Sequence, residues 1–137
     1  MTDVEQSAAA RQFITNWQGR RGEKQDTLAF WMELLRTVYD VQNPERYIKF
    51  EMPVKIILKN TTRYIDGFII STGVLIEQKG AGKDLDKKYP QSDGTMCTPF
   101  EQAYEYKSNL PHNRAARWII TALVYTWWVT LARQTAL

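Results

Sequence analysis

From Ile48 to Leu58 every second residue is large and apolar: Ile48, Phe50, Met52, Val54, Ile56 and Leu58. A period of two puts alternate side chains on one side of an extended chain, so the run reads as a strand with all six residues on its buried face. Pro53 falls in its middle and has no N–H to give to a ladder, which assigns the strand to a sheet edge or to a bulge. Lys59, Asn60, Thr61 and Thr62 turn the chain into a second strand over 63–70, and Ser71, Thr72 and Gly73 turn it into a third over 74–79. A three-stranded meander results, and its apolar surfaces need cover.

Helices supply that cover. A short one over 7–18 carries Ala9, Phe13 and Trp17 at four-residue spacing, with Gly19 placed to end it. A second starts near Asp26 or Thr27, and Leu28, Trp31, Met32, Leu35 and Val38 form its apolar stripe. A third opens on Thr98-Pro99-Phe100-Glu101, where Thr98 caps, Pro99 suits the first helical position and Glu101 completes a capping box. Its register runs through Ala103, Tyr106 and Leu110 before Pro111, and residues 118–124, rich in β-branched side chains, add a fourth strand. The expected fold class is α/β, a mixed four-stranded sheet flanked by helices. Between the third strand and the third helix, Gly80 to Cys97 has no periodicity and reads as a long loop of the kind that carries function.

Composition narrows the function classes. With 137 residues and 44% hydrophobic content the chain makes one globular domain. Its net charge of +3 is too mild to argue for nucleic acid by itself. A lone cysteine, Cys97, excludes an internal disulfide and a multi-cysteine zinc site. The only histidine, His112, sits in a polar turn and reads as a surface residue rather than a base. Asp3 and Glu5 stand where a signal peptide would be basic, and the uncharged run 119–132 is shorter than the roughly 20 residues a bilayer requires, so a cytoplasmic protein with no membrane partner is expected.

One constellation carries chemistry. Asp66 lies inside the second strand, and Glu77-Gln78-Lys79 end the third. Alternation puts Glu77 and Lys79 on one face, roughly 7 Å apart along the backbone, with Gln78 turned to the opposite face in a structural role. Phosphodiester hydrolysis needs a hard cation, which prefers carboxylate oxygens, and a positive group beside the developing phosphate charge. Asp66 and Glu77 supply the oxygens and Lys79 the charge. Alternating charges on a strand are ordinarily a solvated face, but Val74, Leu75 and Ile76 make this strand apolar and central, where uncompensated Glu and Lys would be costly.

At these residues the chain resembles a known family. Phe50-Glu51-Met52-Pro53-Val54, Ile65-Asp66-Gly67, Val74-Leu75-Ile76-Glu77-Gln78-Lys79, Asp84-Leu85-Asp86-Lys87, and Gln91-Ser92-Asp93-Gly94 through Thr98-Pro99-Phe100-Glu101-Gln102-Ala103 look like the N-terminal region of MmeI-like type IIG restriction-modification enzymes. The resemblance covers about residues 10–121. In that family one polypeptide joins a nuclease domain of the PD-(D/E)xK class to an adenine-specific DNA methyltransferase and a target-recognition domain.

The resemblance implies a restriction-endonuclease-like core that cuts double-stranded DNA with Mg2+, with Asp66, Glu77 and Lys79 catalytic and Asp66 and Glu77 holding the metal. A second copy is expected where both strands are cut. Gln102 and Tyr106 are similar to a Gln-x-x-x-Tyr element of some related nucleases and become accessory candidates, although they serve equally as a helix face packed on the sheet. Glu33 is a further candidate acid, but its place off the Leu28, Trp31 and Leu35 stripe fits solvent exposure. Lys83, Lys87 and Lys88, in the loop after the third strand, are the candidate DNA contacts.

The departures from the family are as informative. No Gly-rich loop for S-adenosylmethionine follows a strand, and there is no Asn-Pro-Pro-Tyr. The expectation is therefore a nuclease domain with its N-terminal helices over 1–121 and a divergent or truncated tail over 122–137. Without a recognition domain it would bind phosphates and choose bases poorly. The competing expectation is a non-catalytic DNA-binding remnant of a truncated restriction-modification gene.

Overall fold

The alternating run does form a strand, β1 (Ile48–Ile56), but its apolar residues divide between the two sides of the sheet. Ile48 and Phe50 pack with Trp31, Leu35, Ile69 and Ile76. Met52, Val54 and Ile56 pack with Ile65, Phe68, Leu75, Ala103 and Tyr106. Between the two groups stands Glu51 with φ 50, a left-handed residue inside the strand that exchanges its faces. Leu58, expected on the same buried face, is 99% exposed in a 3-10 turn (Ile57–Lys59) that ends on Asn60 in the left-handed region. The period of two was legible; the exchange of faces at Glu51, a residue type that seldom adopts positive φ, was not.

The computed structural model describes residues 1–20, 26–80 and 82–111 in full and the backbone of 23–25 and 117–122. The expected surface residue His112, the tail beyond Ala122, and the end of the fourth strand toward Val124 lie outside the described residues. After β1 come β2 (Thr61–Ile69) and β3 (Val74–Lys79). A two-stranded ladder, β4 (Tyr89–Pro90) with β5 (Met96–Cys97), occupies the stretch expected to be loop throughout. The last strand is β6 (Arg117–Ala122). The main sheet has the order β1-β2-β3-β6. Its first two junctions are antiparallel, and β6 runs parallel to β3, pairing Val74 with Arg117 and Lys79 with Ala122. Pro53 thus sits on an end strand, where a missing N–H is tolerated.

Helix α1 (Asp3–Trp17) begins at Asp3 rather than at residue 7 because Thr2 and Glu5 make a reciprocal capping box. The Glu5 N–H donates to Thr2 Oγ1 at 3.2 Å, and the Thr2 N–H to Glu5 Oε2 at 2.7 Å. Helix α2 (Glu23–Glu33) runs on as a π-helical segment, Leu34–Val38. Trp31, Leu35 and Val38 are buried as the stripe requires, but Leu28 is 55% exposed while its neighbour Thr27 is buried. After the short α3 (Pro44–Tyr47) and the meander, α4 (Pro99–Asn109) is capped by Thr98, whose Oγ1 accepts from the Glu101 N–H at 3.1 Å. Helix α4 lies on the Leu75 side of the sheet through Ala103 and Tyr106, and α2 with its π-helical extension on the Ile76 side. Helix α1 closes over the extension through Phe13, Trp17 and Val38, joined by Phe30. Among the described residues no helix is long and apolar enough to cross a membrane.

Candidate functional site

The two central strands part company where the charged residues begin. The β2–β3 ladder ends on the pair Gly67 and Ile76, and past it a side chain continues the pairing: Asp66 Oδ2 accepts the Gln78 N–H at 2.8 Å. Gly67 lets this happen close to the sheet, because a Cβ there would stand 3.2 Å from Ile76 Cδ1 and 3.3 Å from Ile48 Cδ1.

Glu77 and Lys79 share the side of β3 that faces α4, as alternation requires. Glu77 is 2% exposed and is paired through Oε1 with Lys79 Nζ at 2.9 Å. Lys79 Nζ also donates to Gln102 Oε1 at 2.9 Å, and Gln102 Nε2 donates to the Tyr106 hydroxyl at 2.7 Å. Residues 102 and 106 are one helical turn apart, so α4 offers both to the same strand end. Burial, and next the negative charge of Glu77, push the Tyr106 hydroxyl well above its ordinary value, which keeps it a neutral hydrogen-bonding group. An ion pair this deep adds little net stability by comparison with apolar residues, since desolvation offsets most of its attraction. Its content is positional: it holds an ammonium against a carboxylate at the end of a rigid strand.

The opposite side of β3 is joined to α2. Gln78 is fully buried, and its Oε1 accepts from Trp31 Nε1 at 3.0 Å. Glu33, expected as an accessory acid, is turned elsewhere: its carboxylate accepts from Trp17 Nε1 at 2.8 Å and Asn16 Nδ2 at 3.1 Å, fastening α2 to α1. Lys83, Lys87 and Lys88 are exposed in the segment after β3, with Lys83 Nζ 4.5 Å from the centre of the Tyr89 ring.

Sequence reasoning missed a second charged group that anchors this segment. Asp93 pairs with Lys59 at 3.4 Å and Arg63 at 3.2 Å, Lys59 reaches Glu105 at 2.8 Å, and Arg63 bonds Ser92. Hydrogen bonds from the hydroxyl and N–H of Thr95 hold the Asp93 carboxyl down to about 2. The Asp-x-Thr spacing of an Asx turn was the available signal. Burial, and next the negative charge of Glu105, push the Cys97 thiol above its ordinary value, which disfavours the thiolate.

Two carboxylates on adjoining strands are hard oxygen donors of the kind that hold a small divalent cation together with water. Among the described residues no group of three or more His, Cys, Asp or Glu gathers that could hold a metal ion. Fold and site together define a mixed α/β domain whose central strands end in an Asp, a Glu-Lys pair and a polar relay from a covering helix. The chain belongs to the MmeI N-terminal domain family, whose model matches residues 8–122, and membership relates it to restriction-modification enzymes. Neither a curated protein nor a solved structure matches it.

Proposed function

We propose that the domain is a magnesium-dependent DNA endonuclease with a PD-(D/E)xK core, forming the nuclease part of a restriction-modification polypeptide. The observation that carries this is the Lys79 ammonium held between Glu77 and Gln102, with Asp66 on the adjoining strand. Asp66 and Glu77 would hold the cation, and their oxygen chemistry fits it. When bound, magnesium supplies charge against the phosphate oxygens and makes a water more acidic.

The protein's own residues do the rest. Lys79 keeps a fixed positive charge beside the point where the phosphate becomes more negative, and a preorganised charge of this kind needs no rearrangement as the reaction proceeds. Its direction is set from α4: Gln102 gives its Nε2 to Tyr106, so its oxygen is left to face the ammonium. The neutral Tyr106 anchors that amide without adding charge. Lys83, Lys87 and Lys88 would meet phosphates of double-stranded DNA, giving affinity without base choice.

The test is incubation of the purified chain with supercoiled plasmid in magnesium and in EDTA, beside a Lys79→Ala variant whose folding is checked by circular dichroism. Nicked or linear DNA that disappears with EDTA and with the variant supports the nuclease. Folded protein that binds DNA and leaves it intact supports the non-catalytic remnant instead.

A further inference from the structure

Gln78 is the most deeply buried polar side chain of the central strand, and hydrolysis as proposed makes no direct use of it. A buried amide is costly unless its hydrogen bonds are met, and Gln78 is fully buried on the side of the strand that Trp31 covers. The residue is engaged on three sides. Its N–H gives Asp66 Oδ2 a 2.8 Å bond, its Oε1 accepts from Trp31 Nε1 at 3.0 Å, and its Nε2 donates to the Lys79 carbonyl at 3.3 Å. The indole N–H can only donate, so Oε1 must be the atom facing Trp31 and Nε2 must point toward Lys79. One contact from α2 therefore fixes which way the whole amide lies.

Each of those bonds touches the proposed machinery from behind. Asp66 is held by the backbone N–H of Gln78, and the Lys79 backbone by its side chain. Trp31 is itself locked, 6% exposed and edge-on to Phe30 at 5.5 Å. We propose that Gln78, seated by Trp31, is a positioning residue that sets the Asp66 carboxylate and the end of β3 in the geometry needed to bind a divalent cation. The proposal rests on the nuclease reading for its purpose, but its first readout is metal binding. Partners that orient metal-binding side chains in this way typically change affinity by about 10–100-fold when removed.

The experiment uses the full chain and three variants, Gln78→Met, Trp31→Phe and the double. Met keeps the length and volume without the amide, and Phe keeps a ring without the N–H. Binding of Mn2+ alone is measured by calorimetry, thermal unfolding by circular dichroism, and plasmid nicking in Mg2+ with DNA affinity measured separately. Expected are melting temperatures within a few degrees of the parent, Mn2+ affinity lower by about 10–100-fold in each single variant, and a double variant no weaker than the weaker single. Nicking then falls through its turnover rate with DNA affinity unchanged. Variants that bind Mn2+ and nick as the parent does would overturn the positioning role while leaving the nuclease intact. A parent that binds Mn2+ without nicking removes the nuclease reading, and the variants' Mn2+ affinities still decide the positioning role. A parent that binds no Mn2+ overturns both.

Discussion

The two sides of the central strand each pack into an apolar cluster and use polar groups in opposite ways. Toward α2, Ile76 sits among Trp31, Leu35, Ile48 and Ile69, and the polar contact is the neutral Trp31–Gln78 bond. Toward α4, Leu75 sits among Val54, Ile56, Ile65, Phe68, Ala103 and Tyr106, and one step along the strand the packing gives way to an ion pair and an amide relay. Electrostatic cost separates the two uses. A neutral bond fixes backbone at small electrostatic cost, so it suits the supporting side. A buried charge pair demands close partners and repays them with a field at one point, so it suits the side on which the proposed chemistry would act.

The contrast breaks most sharply at Lys79. Lys79→Ala leaves the buried Glu77 carboxylate without its ammonium, and a loss of about 3–5 kcal/mol of stability in denaturant unfolding is expected, together with a fall in nicking of about 100-fold or more. Replacing both charges, Glu77→Gln with Lys79→Met, should return most of the stability and none of the activity. Recovery of activity in that double variant would show that the pair serves the fold alone. Next come Leu75→Ala and Ile76→Ala, each fully buried and each expected to cost about 2–5 kcal/mol by urea titration. A large inequality would mean that the two sides do not share the apolar load.

Tyr106→Phe should cost about 1–2 kcal/mol, because Gln102 Nε2 loses its acceptor. Its pH signature is more telling. Since the fold holds the Tyr106 proton more tightly than the unfolded chain does, stability is undiminished below the ordinary tyrosine value of 10.0 and falls as pH rises beyond it. The Phe variant should show a flatter alkaline limb, and an unchanged limb would place the hydroxyl in a wetter setting. The smallest effect is expected at Asp93, on the exposed rim. With its carboxyl lowered to about 2, its contribution is present above the ordinary value of 3.8 and is lost as pH falls through about 2. Asp93→Asn should therefore change only the acid limb of unfolding, and altered nicking at neutral pH would tie the β4–β5 segment to catalysis.

The same contrast explains what the sequence disclosed. Periods of two and of nearly four residues are local, so the strands, the α4 register and the Glu77–Lys79 side of β3 could be seen in the chain itself. The side a strand faces is a global property, and in β1 it changes at a left-handed residue, Glu51, which no turn-forming residue type advertises. Leu28 missed the core while its polar neighbour Thr27 is buried, a choice that apolar spacing alone does not reveal. The Thr2-x-x-Glu5 box is legible in the sequence and marks the helix start that apolar spacing alone places later. Glu33 shows the opposite failure: a carboxylate at a plausible position was claimed by Trp17 and Asn16, partners distant in sequence.

The end strand of the sheet has a bearing on how copies of this chain behave toward one another. A row of open backbone groups on β1 would invite a second molecule to add its own strand, and so on without limit. That row is interrupted by Pro53, bent at Glu51, and studded with the exposed charges of Lys49, Glu51 and Lys55. Any molecule approaching in register would have to bury those charges and meet a missing donor. The strand that does most to organise the sheet is thereby also the one that discourages the domain from growing into fibres.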